Sequence, residues 1–422
     1  MNATRSVGRQ LALRFPTTFA VAAPYVLLFL PTAVWYGNPE TDFIIRTSAL
    51  AIAGAFAVEA AVASIAVAER RSGRPAATSP RNPSPRLPSV SAWHPERLAV
   101  LARIVSVVAI AATLASVVLG AGTLRSQVDG ELPSGAAAVL TPFTSWTAVA
   151  LALLITARHT GGLSRAGVLR WIGALLLTQV VSASVTTITV RAVAFLVLLA
   201  ALAYLTELVP RSWIVASIGL VAVVWPTVFA VRNQLRLANG IDVSTDVTAS
   251  DRLRFDEQIG RAADLGPGHE LGQPGFGEVV RYGLVPRFLD PDRGALSSGN
   301  LINEYLGGAP FSSYTFLPVA TVWFFWGAFA VVLLYAGYAA FVMTLRPWSG
   351  IARRPYALVL FTLALNGPLS WFGTPPDSTI GALQALVATL PVFVALQVWA
   401  RRSPVRGDRP TRVTPTSTVR QS

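Results

Sequence analysis

Between residues 232 and 314 the chain gathers eleven of its 21 acidic residues and eight of its arginines, so its chemistry is sought there first. A guanidinium presents a planar fork that binds phosphate or carboxylate oxygens two at a time and stays charged at physiological pH. A carboxylate can take the proton of an attacking hydroxyl. Both kinds recur at short spacing: Arg254 with Asp256, then Arg287 and Arg293, then Glu304 beside Tyr305. Arg191 stands apart, after Thr186-Thr187-Ile188-Thr189. Cysteine is absent, and His94, His159 and His269 are too widely spaced for a local ligand motif, so neither a metal nor another cofactor is expected.

The elements that must position these groups are hydrophobic helices. With 53% apolar and 13% charged residues, the 422-residue chain lies far from soluble composition, where about a quarter of residues are charged. A span of about 30 Å of hydrocarbon takes about 20 apolar residues. Ten stretches qualify, over residues 17–35, 43–68, 98–121, 135–157, 171–189, 192–209, 212–231, 315–344, 356–374 and 379–400. The fold class is therefore all-α, a polytopic membrane protein with about ten transmembrane helices and a large extracytoplasmic loop containing short helices. The first stretch follows Arg5, Arg9 and Arg14 but has Trp35-Tyr36 where a signal peptide would have small residues, so it is read as a retained helix.

Arginines occupy alternate connections. They fill the N-terminus, the segment from Arg70 to Arg97, Arg158 to Arg170, Arg211, Arg346 to Arg354 and the tail from Arg401, whereas Glu40, Asp42, Asp129, Glu131 and Asp377 mark the intervening ones. The positive-inside rule then places both termini in the cytoplasm and residues 232–314 outside a cytoplasmic (inner) membrane. A net charge of +13 is explained by topology, and nucleic acid is not an expected partner. The organisation reads as helices one to seven over 1–231, with a disordered cytoplasmic loop near 69–97, an extracytoplasmic cap over 232–314, helices eight to ten over 315–400, and a disordered tail over 401–422.

Within the cap, Ser250 is expected to N-cap a helix from Asp251 to Asp264 that Gly266 ends, with Phe255, Ile259, Ala262 and Ala263 on its apolar face. Arg252 and Asp256 lie four apart beside that face; Arg254 and Arg261 are expected to point away from it. Inside the apolar stretches, Glu59 is the deepest charge, with Arg103 of the next stretch its expected partner. Glu40-Thr41-Asp42 reads as ordinary acidity of a short outer turn.

The order Arg-Phe-Asp at 254–256, Val-Pro-Arg-Phe-x-x-Pro-Asp-Arg at 285–293, Asn-Glu-Tyr-x-x-Gly at 303–308, and Ser312-Ser313 before Phe324-Phe325-Trp326-Gly327 resembles the Wzy-type O-antigen and exopolysaccharide repeat-unit polymerase family. The likeness covers roughly residues 254–327. Arg293-Gly294 stands where the family often has Lys-Pro, and Thr321-Val322 where it often has an acid. The resemblance implies a membrane glycosyltransferase that moves a growing glycan from undecaprenyl diphosphate to a sugar hydroxyl of the next lipid-linked repeat. It implies Arg191, Arg254, Arg287, Arg293 and Tyr305 as substrate and diphosphate contacts, Asp256 and Glu304 as candidate bases, and a flippase and a chain-length regulator as partners. The alternatives are an O-antigen-ligase-like or polyprenyl-phosphate-sugar-dependent glycosyltransferase and, further off, a transporter or flippase.

Overall fold

A computed structural model describes residues 7–71, 93–121, 135–186, 189–238, 248–285, 289–290, 297–308, 313–346, 348 and 350–401. Among them the chain is all helical, and seven helices are long and apolar enough to cross a membrane. It is a multi-pass membrane protein. The long apolar helices are α2 (Pro16–Trp35), α3 (Thr41–Arg71), α4 (Pro95–Val118), α5 (Gly135–His159), α6 (Arg165–Thr186), α12 (Leu317–Met343) and α14 (Asp377–Ala400). A short α1 (Val7–Arg14) precedes them.

Each of the ten expected stretches contains helix among the described residues, but three are not among the seven. In α7 the apolar run covers Arg191–Thr206, too short for a full perpendicular span. The 28-residue α8 (Arg211–Ala238) covers the whole of its expected stretch and is long enough for a span, with Trp213, Val215 and Val223 exposed as side chains of other spans are. The span expected over 356–374 is instead the 12-residue α13 (Pro355–Asn366), about 18 Å long. It stops because Gly367, packed against Ala382 and the Ser378 carbonyl of α14, takes a non-helical backbone. The expected disordered segments fall mostly on 72–92 and 402–422, outside the described residues.

The core is built on close backbone approach. At Gly54 of α3 a side chain would collide with the Val332 carbonyl of α12, so glycine lets these two helices form the central pair. Glu59 of α3 is completely buried, and its partner is not Arg103, whose side chain is exposed. Its oxygens accept from the Thr17 and Thr18 N–H groups at 2.7 and 3.2 Å. These are donors that the first turn of α2 cannot satisfy internally, and the chain breaks at Phe15 just before it. Further along α2, Pro24 is followed by one π-turn over Tyr25–Phe29, as expected where proline withholds a backbone donor.

Contacts sort the connections to opposite ends of the bundle. At one end Arg9 pairs with Glu207 at 2.6 Å, Arg346 donates to the Val62 carbonyl, and Arg97 donates to the Trp399 carbonyl. There, too, the His94 N–H donates to Ala400, and Trp93 bridges Arg401. At the other end the α2–α3 turn, the described residues between 248 and 308, the start of α12 and the start of α14 meet. That polar end carries three short helices: α9 (Phe255–Leu265), α10 (Phe276–Leu284) and α11 (Ser298–Tyr305).

Candidate functional site at the polar end

The helix expected from Asp251 begins four residues later. Asp251–Leu253 make one tight turn, and Ser250 provides no side-chain cap; the Thr248 hydroxyl and N–H bond the Asp251 carboxylate instead, holding its carboxyl below the usual range. Arg254 then breaks the helical path at φ −75°, ψ 62°, and α9 starts with Phe255-Asp256-Glu257, acids placed where a helix N-terminus favours them. Gly266 ends it at φ 80°, as expected. Ile259 and Ala262 of the expected apolar face are buried.

That late start decides the pairing. Arg254 binds Asp256: its Nε reaches Oδ1 at 3.0 Å and its Nη2 reaches Oδ2 at 3.1 Å. Asn38 Nδ2 donates to the same Oδ2 at 2.9 Å, and Asn38 Oδ1 accepts the Glu40 N–H at 2.8 Å. Tyr36 lies under the guanidinium, 4.1 Å from its carbon. Gly260 makes this docking possible, since any side chain would press on Glu40 Cβ at 3.0 Å. Burial alone would raise the Asp256 carboxyl, but the bonds from Arg254 and Asn38 outweigh it and hold the carboxyl below its ordinary value; the bonds to Asp256 in turn raise Arg254. A carboxylate so occupied is a weak base and a firm anchor. Its geometry suits orienting Arg254 better than taking a proton.

Phe255 is wedged between Phe29 of α2 and Phe372, with ring centroids 5.8 and 5.4 Å away. Phe29 also lines, with Tyr25, Tyr335, Ser370 and Trp371 among others, a cavity of about 20 Å³. That is room for about one water. The Tyr25 hydroxyl is buried with no hydrogen-bond partner among the described residues. The arginine–aspartate pair is thus joined to the helix bundle through Phe255, which packs on Phe29.

A second cluster forms where α12 breaks. Gly327 takes φ 76°, ψ −177° in mid-helix, and near this break the Phe324 carbonyl accepts the Gly268 and His269 N–H groups. His269 stacks on Phe324 at 4.5 Å and meets Tyr305 at 5.0 Å. Glu304 is exposed in the last turn of α11. The Asn-Glu-Tyr-x-x-Gly pattern has a packing reason: Gly307 turns at φ 72°, and Gly308 lies directly on the Asn303 amide, where a side chain would collide. The start of α11 is held by Asp377, which accepts the Ser298 N–H and hydroxyl at 2.8 and 2.9 Å.

Of the residues singled out from the sequence, Arg254 with Asp256 form one group and Glu304 with Tyr305 border another. Arg191 begins the apolar run of α7 with its side chain exposed and without a hydrogen bond or ion pair to the described residues. Arg287 and Arg293 lie outside the described residues; Asp290, a carboxylate near them in sequence, is held by Arg281 through two bonds of 2.6 and 2.9 Å. Asn38, Tyr36 and His269 had not been singled out as site residues. For His269 a signal existed, since it is the one histidine in the large polar segment. The described residues include no group of three potential metal-ligating side chains. No family model, no curated protein and no solved structure matches the chain.

Proposed function

We propose that this protein is a polysaccharide polymerase, a membrane glycosyltransferase that transfers a growing glycan from undecaprenyl diphosphate to the next lipid-linked repeat at the outer face of the cytoplasmic membrane. The observation that carries the reading is the Arg254 guanidinium, fixed by Asp256, Asn38 and Tyr36 at the polar end of the helix bundle. A preset cation at the membrane boundary is what a diphosphate leaving group on a lipid carrier requires, because it meets the developing charge without reorganising. Arg191, Arg287 and Arg293 supply further cations, and Tyr305 an aromatic face for a sugar. The segregation of connections to two ends of the bundle supports an outward polar segment and cytoplasmic termini. A flippase would deliver the substrate and a chain-length regulator would set product size.

The test is a deletion strain. Loss of polymer with accumulation of single lipid-linked repeats, reversed by the wild-type gene, is the expected result. Normal polymer that stays on its carrier would point to a ligase instead.

A further inference from the structure

We infer that His269 is the general base of the transfer, the group that takes the proton from the attacking sugar hydroxyl; this rests on the glycosyltransferase reading above. His269 Nε2 lies 2.9 Å from the Leu265 carbonyl oxygen. A carbonyl can only accept, so Nε2 carries the hydrogen of the neutral ring and Nδ1 carries the lone pair. Nδ1 has no hydrogen-bond partner among the described residues. The ring plane is set by Phe324, nearly parallel at 18°, and by Tyr305 on another side. The backbone is set too, because the His269 N–H and that of Gly268 both bond the Phe324 carbonyl. Tautomer, plane and backbone are thus all determined before any substrate arrives, which is what an efficient base needs. Asp256 is occupied by Arg254 and Asn38, and Glu304 is an exposed side chain without comparable restraint.

In the step, the acceptor hydroxyl oxygen forms a bond to the anomeric carbon of the donor glycan. The bond from that carbon to the diphosphate oxygen breaks, and its electron pair leaves with the lipid diphosphate. The hydroxyl proton moves to His269 Nδ1 and is later lost to water.

The experiment uses the purified full-length protein, lipid-linked repeats, and variants matched for folded amount. His269→Gln keeps an amide donor in reach of the Leu265 carbonyl but has no basic lone pair. It is expected to slow elongation about 10²- to 10⁴-fold. His269→Ala is expected to regain part of its rate when imidazole is added, which a packing role would not produce. Elongation by His269→Gln within a few-fold of wild type overturns the assignment, as does His269→Ala with no response to imidazole. Abolition by Glu304→Gln with His269→Gln active would hand the role to Glu304. If the wild-type protein elongates nothing, the polymerase reading fails and this inference with it; if wild type elongates and His269→Gln does too, only the inference fails.

Discussion

Asn38 and Asp256 are joined by a 2.9 Å hydrogen bond across 218 residues of sequence, tying the turn between α2 and α3 to the first turn of α9. Through it the short connection near the N-terminus sets the position of Arg254. Asn38→Ala should cost about 1–2 kcal/mol, the range for a buried acceptor losing one neutral donor. Asp256→Ala should cost more, because it leaves both Arg254 and Asn38 without their partner. Thermal unfolding of the solubilised protein orders the two, and equal, negligible shifts would show that the cluster does not brace α9.

The same carboxyl predicts an acid limb. Its folded value is depressed, so its contribution is complete above the unfolded value of about 3.9 and is lost as pH falls through the lower, folded value. Melting temperature measured from pH 6 down to 2 should drop in the wild type, and Asp256→Asn should flatten that part of the drop. An unchanged slope in Asp256→Asn would assign the limb to other groups.

Glu59 supports a different place, the N-terminus of α2. Glu59→Gln keeps one oxygen acceptor but turns an NH2 toward the other N–H and should cost about 1–3 kcal/mol, whereas Glu59→Leu strands both the Thr17 and Thr18 N–H groups and should cost about 2–6 kcal/mol, from about 1–3 for each buried donor. Hydrogen exchange at residues 16–20 reads this directly. Unaltered protection in Glu59→Leu would mean that water or another group replaces the cap.

At Gly327 the obstacle to a side chain is backbone conformation alone, since nothing lies within 4 Å of a Cβ there. The φ/ψ pair belongs to a region that is essentially glycine-only, so Gly327→Ala should cost about 1–3 kcal/mol or straighten α12 and detach residues 268–269. Increased proteolysis in the 266–275 turn would report the second outcome. Wild-type stability and cleavage together would remove the break as a structural requirement.

Arg287 can be tested without its geometry. If it meets the diphosphate, Arg287→Lys should lose activity as Arg287→Ala does, by about 10²- to 10³-fold, because an ammonium cannot reproduce the fork. Polymer length at matched membrane levels is the measurement. Full-length polymer from both variants would leave Arg287 outside the site.

Much of the helix plan could be read from the sequence because apolar length is a local property. What failed depended on partners. The end of α13 was half legible, since Gly367-Pro368 is a stop signal in the sequence, but the approach of α14 to Gly367 was not. Glu59 and Arg103 looked like a pair because both are charged in adjacent stretches. The actual partner of Glu59 is a set of backbone groups, which carry no residue signature. One continuous helix from Asp251 would have turned Arg254 away from the apolar face; the break at Arg254 instead brings its guanidinium onto Asp256. Asn38 was invisible for the same reason that it matters, because its role exists only across 218 residues.

The clasp of residues 93–97 on 399–401 has a consequence for biogenesis. Helix α4 is synthesised about 300 residues before the strand of chain that fastens it, so its seat stays provisional until α14 has left the ribosome and been inserted. Quality control that inspects this end of the molecule would therefore be inspecting completeness: a nascent chain arrested anywhere before Trp399 presents an unfastened α4, however well its earlier helices have packed.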